Sequence, residues 1–188
     1  MSITASTIEW AEELVETPEE DAPELDDLPD CFQWRDTLRQ VTTTLRDASV
    51  LGMPAPHGAL FYGPPGNGRH TLAQAYISTM WRWRQVGPEL VPLFRVDASQ
   101  FPEGLDLQEA LDRIDTIFDV ISDPRKYDFC DDAEFGIILF DQMERYAHVD
   151  ALAYSIAQWT ADLSDHAAVI CITEDESIIP SALRLSLI

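Results

Sequence analysis

Lysine is nearly absent from this chain: Lys126 is the only one, beside eleven arginines, against 34 acidic residues. The formal charge is −22. Phosphate backbones and anionic headgroups select clustered Lys and Arg, so nucleic acid and membrane surfaces are not expected partners. The charge itself fits either a demand for solubility or a salt-rich habitat. Cysteine is scarce and odd in number (Cys31, Cys130, Cys171), at spacings that no metal site or disulfide framework uses. Cys171 lies inside an apolar run and reads as core. No apolar run approaches membrane-spanning length, and the first residues are acidic where a secretory signal is basic. The cytosol is the expected compartment.

What is present suits one α/β domain with a core and a tail: 188 residues, 46% of them apolar. Residues 1–30 carry eleven acidic side chains and no basic one. Ile8, Ala11, Leu14 and Val15 have helical spacing, which predicts a short amphipathic helix before the Pro18 break. From Thr17 onward proline and acid dominate, which predicts a largely disordered leader. Such a leader is either a docking segment or a solvated arm.

The organising stretch is 58–73. An apolar run (Ala59, Leu60, Phe61, Tyr62) stops at Gly63-Pro64-Pro65-Gly66-Asn67-Gly68, after which helix formers resume. Strand, tight loop and helix in that order turn backbone N–H groups and a positive helix end toward one point, where phosphate oxygens fit. The P-loop pattern asks for Gly, four residues, Gly, Lys, then Ser or Thr. Gly63 and Gly68 have that spacing, but Arg69 stands at the lysine position, His70 at the hydroxyl position, and Thr71 one residue late.

The rest alternates buried-type strands with amphipathic helices. Strands are predicted near 58–62, 91–97, 136–141 and 167–172, and helices over 31–50, 71–84, 105–121 and 151–163. That alternation predicts a three-layer fold with a parallel sheet and right-handed crossovers. The run Trp81-Arg82-Trp83-Arg84 ends the first core helix. Neighbours on a helix point apart, so core tryptophans with solvated arginines are expected rather than a base-stacking platform.

The approach Leu51-Gly52-Met53-Pro54-Ala55-Pro56-His57-Gly58, the loop and the later strands resemble AAA-family ATPases of the AAA+ superfamily, in order from about Asp30 to Arg184. The resemblance implies an α/β P-loop NTPase core over 31–188, ATP or ADP with Mg²⁺, and a ring of subunits that remodels proteins. It also implies roles that this chain fills unevenly. The strand ending in Asp141-Gln142 resembles Walker B, with Asp141 in the Mg²⁺-holding place. Gln142 stands where the family has the catalytic Glu, and an amide has no basic oxygen near neutral pH. Losing a general base commonly costs 10²–10⁴-fold in rate. An imidazole at His70 serves Mg²⁺ poorly. Glu174 stands where the family's sensor Asn positions water, and a carboxylate there repels phosphate. Arg184 matches the residue before the arginine finger, whose own place Leu185 takes. In pore-loop members an aromatic lies between the second strand and the next helix; here Phe101 and, by helix counting, Asp106 both compete for that place. The family's fifth strand and helical lid would follow Ile188, so the sequence reads as a fragment or as a core with an open sheet edge.

These expectations converge on a catalytically impaired relative, a regulatory or interaction subunit. ATP or ADP binding is expected to be weak, hydrolysis weak or absent, and the partners proteins, among them an intact AAA ATPase or a hetero-oligomer. The competing expectation is an active remodelling ATPase with a variant loop.

Overall fold

The computed structural model describes residues 3–29, 37, 38, 40, 43, 58–102, 104–146, 149–163 and 166–187. The helix expected over 31–50 lies outside these residues except at positions 37, 38, 40 and 43, which are helical. The approach 51–57 also lies outside them.

Among the described residues five strands form one sheet: β1 Val15–Glu16, β2 Gly58–Tyr62, β3 Leu93–Val96, β4 Gly136–Phe140 and β5 Ala167–Thr173. Their order is β1-β3-β4-β5-β2. β5 runs parallel to both β2 and β4, and β4 parallel to β3. β1 pairs antiparallel with β3. The four expected strands are therefore present and parallel, and the fold is the expected three-layer P-loop type. β4 and β5 are buried along their whole lengths, as central parallel strands must be.

Side chains along these two strands alternate between two cores. Ile138, Phe140, Val169 and Cys171 face one, with α3 (Leu107–Ser122) and α4 (Asp150–Asp162) packed over it. Ile137, Leu139, Ile170 and Ile172 face the other, covered by α2 (Arg69–Trp83). The helix α3 begins two residues later than expected because Asp106 caps it, accepting from the Gln108 and Glu109 N–H groups. A short α5 (Ser181–Ser186) packs on α4. Burial pushes the Cys130 thiol up to about 12 and raises Cys171 further, so both are inert core residues.

The leader contains the short helix expected before the Pro18 break. Helix α1 (Ala5–Leu14) is capped by Thr4, and its Ala11 is fully buried beside α3. The Thr116 hydroxyl reaches Thr7 Oγ1 at 2.9 Å across that contact. Residues 17–29 then run along α2. Leu25 is 0% exposed, and its N–H donates to Thr79 Oγ1 at 2.9 Å. The Arg82 guanidinium donates to the Ala22 and Glu20 carbonyls and pairs with Glu24 at 3.3 Å. Arg95 pairs with Glu16 at 3.2 Å. Arg82 is thus a clamp and not a solvated arginine, while Arg84 lies 4.1 Å over the Phe135 ring. A few apolar anchors and basic partners on the domain offset the leader's charge, which composition alone does not reveal. Among the described residues no helix is long and apolar enough to cross a membrane.

Leu25 supplies the test of this docking. Leu25→Ala is expected to lower the free energy of unfolding by about 2–4 kcal/mol, the usual range for a fully buried leucine. Urea denaturation measures it, and an unchanged midpoint would mean that the leader is not part of the folded unit.

Candidate functional site

The parallel register brings the chemistry to one edge of the sheet. Tyr62 lies opposite Thr173, and Phe140 opposite Cys171. The residues that leave these strands, Gly63, Asp141 and Glu174, therefore emerge side by side. The loop between β2 and α2 turns through three glycines in the left-handed half of backbone space, Gly63 (φ 138°), Gly66 (φ 81°) and Gly68 (φ 83°). At Gly63 a Cβ would also fall 2.1 Å from Asn67 Nδ2. Gly68 forms the N-cap of α2. The sequence expectation of strand, anion-cradling loop and helix holds in shape.

Several of the groups expected to serve phosphate are engaged within the chain. The Gly63 N–H donates to the Thr173 carbonyl at 3.3 Å, the Asn67 N–H to the Pro64 carbonyl at 3.4 Å, and the Arg69 N–H to Asn67 Oδ1 at 3.1 Å. Pro64, Pro65 and Gly66 form the exposed crest of the loop. The Arg69 side chain is 9% exposed and folds back over the loop. Its Nη1 donates to the Gly63 carbonyl at 2.6 Å, and its Nη2 to Glu174 Oε1 at 3.2 Å. Its Nε is buried without a hydrogen-bond partner.

Beside it, His70 Nε2 lies 3.0 and 3.2 Å from the two Asp141 carboxylate oxygens. Asp141 accepts, so Nε2 carries the hydrogen. The Gln142 backbone, held at φ 53°, donates its N–H to Asp141 Oδ1 at 2.8 Å, while the Gln142 side chain is exposed. Thr71 is exposed on the next helical position. Changes that look independent along the sequence are in fact contact pairs: Arg69 meets Glu174 across 105 residues, and His70 meets Asp141 across 71.

Mg²⁺ does not fit this arrangement. It asks for hard oxygen ligands in an octahedron, and here an imidazole hydrogen-bonds the carboxylate that would hold it. No group of three or more His, Cys, Asp or Glu among the described residues could hold a metal ion. A phosphate fits the glycine turns and the start of α2, but it would share its one guanidinium with Glu174.

Sequence reasoning missed Glu144. It sits on the turn Met143–Arg145 after β4, and its Oε2 accepts from Thr173 Oγ1 and the Glu174 N–H, both at 3.1 Å. It ties the end of β5 to the segment after β4. Its one signal in the sequence is an acid three residues beyond Asp141. Next in the chain, Asp175 caps the turn Glu176–Ile178, and its bonds from Ser177 hold its carboxyl below the usual range. Arg184 stands apart: it is exposed on α5 and, among the described residues, bonds none of the loop or strand-end groups. Phe101 does not project as a pore aromatic but packs 4.9 Å from the Tyr146 ring, and Asp106 is spent as a helix cap.

The family model of ATPases associated with various cellular activities (AAA) matches residues 59–187. No curated protein is similar at a significant level. Among solved structures, the FIGL-1 AAA domain in complex with ADP matches with a TM-score of 0.67 at 14% identity, covering 100% of this chain and 60% of that one. A katanin structure concerned with self-assembly matches at 0.61 and 16% identity, over 100% and 58%. C. elegans PCH-2 matches at 0.52 and 17%, over 81% and 40%. At such identities the likeness is one of fold. The chain spans between 40% and 60% of the length of these three structures.

A double-mutant cycle on His70→Ala and Asp141→Ala measures the second pair. His70 is 53% exposed, so a coupling of about 0.3–1 kcal/mol in unfolding free energy is expected. Strictly additive effects of the two substitutions would show that the pair contributes nothing.

Proposed function

The chain belongs to the AAA family of ATPases, and on that premise we propose that it is a non-hydrolysing member acting through protein partners in the cytosol. The observation that carries this reading is the double pairing in the cradle, where Arg69 is held by Glu174 and Asp141 by His70. Each pair engages a group that the family's chemistry needs free. Gln142 removes the general base as well, a loss of roughly 10²–10⁴-fold where such a base acts. ATP and ADP then bind weakly, through the glycine turns and the helix end, and serve at most as regulators. The alternative reading, an active ATPase that remodels proteins, is favoured by Asp141 and the surviving loop glycines.

The partner reading rests on the sheet and on charge. Among the described residues β2 pairs with β5 alone, which leaves its other side as an edge able to take a further strand. Tyr62 at its end is 50% exposed. The formal charge of −22 would steer the chain toward a basic surface, such as one carrying arginine fingers.

Two measurements bear on this. In a phosphate-release assay with ATP and Mg²⁺ the purified chain is expected to show no turnover above background. Turnover that Asp141→Ala abolishes would sink the non-hydrolysing reading. In size-exclusion chromatography with light scattering, salt-sensitive association with an AAA ATPase bearing intact motifs is expected. A monomer that stays monomeric at high concentration beside such a protein removes the partner reading.

A further inference from the structure

Arg69 is the one arginine or lysine between Gly63 and Thr71, in a chain with few of either. Its guanidinium closes the loop on itself by joining the Gly63 carbonyl at one end to the helix start at the other. Its Nη2 edge, toward β5, donates to Glu174. Glu174 is placed there by the main chain, because its N–H is fixed on Glu144 while its side chain stays 47% exposed. A fixed backbone with an accessible carboxylate can be displaced without unfolding anything. The buried Arg69 Nε, still without a partner, shows that this guanidinium has donor capacity left over.

We infer that Glu174 is an internal counter-anion that stands in for a phosphate on Arg69, so that a nucleoside diphosphate must displace it to bind. The inference deepens the proposed reading of the cradle as a weak nucleotide site and rests on it. Two consequences follow from the contacts. The loop keeps its shape without nucleotide, because a carboxylate of the same chain supplies the negative charge that Arg69 and the helix end attract. Displacement also proceeds without a divalent ion, because His70 already occupies Asp141. The fold is thus uncoupled from the nucleotide that its loop is shaped to hold.

The probe is ADP, titrated calorimetrically into the full chain in EDTA and again in Mg²⁺. Wild type is expected to bind weakly and alike in both. Glu174→Gln keeps the side chain's size but removes the charge, and it is expected to tighten ADP on the order of tenfold, through a freed Arg69 and lost repulsion. Adding Arg69→Ala to that variant is expected to erase the gain. Glu174→Asp retains the charge but shortens the reach to Arg69; a smaller gain is expected, and it decides the matter where the neutral variant does not fold. Circular dichroism establishes folding in each case. Folded Glu174 variants that bind ADP no more tightly than wild type overturn the inference, as does a gain that persists without Arg69. Binding that depends strongly on Mg²⁺ overturns the metal-independent part. ATP turnover by the wild type would defeat the non-hydrolysing reading yet leave this competition standing, so the two failures are distinguishable.

Discussion

The register of β5 against its two neighbours is the constraint on which the rest depends. β5 is the strand that touches both β2 and β4, and it is buried at all seven positions. A slip of one residue would exchange its two faces and send Cys171 and Val169 to the wrong core. The same register decides which residues meet beyond the strand ends. Gly63, Asp141 and Glu174 come from widely separated parts of the chain and share one edge because β5 aligns them. Packing and candidate chemistry are therefore set by one set of backbone hydrogen bonds.

On that edge, the polar side chains find their partners locally. A buried arginine is costly unless a partner meets it, and Arg69 has a carbonyl and a carboxylate. Asp141, 15% exposed, has an imidazole and a backbone N–H. In both cases the partners come from the chain itself. The glycines give the loop its turns, and the pairs hold the side chains around it.

The four strands and most helices were legible in the sequence because buried parallel strands read as apolar runs and amphipathic helices as periodic ones. The loop was legible because Gly63, Gly66 and Gly68 adopt backbone angles that other residues avoid. The side-chain pairs were not. Nothing near Glu174 in sequence points to Arg69, 105 positions away, until the strand order is known, so changes scored one at a time looked independent. The contacts of the leader were hidden for a related reason. Its composition is acidic, β1 is only two residues long, and scattered anchors such as Leu25 and Leu28 are buried only against α2. Phe101 and Asp106 stand in sequence where a loop tip is expected, whereas local packing and capping engage them.

Helix α2 carries Arg69 at its first turn and Arg82 near its last. They are thirteen positions apart, about 20 Å along the axis at 1.5 Å per residue. One arginine moors the loop and the other moors the leader, so the helix is a strut loaded at both ends. A tag, a cut or a binding protein that tugs on residues 19–25 pulls on the same rod that seats Gly68. In mechanical terms the acidic leader is a handle on the cradle, reached from the far end of the helix.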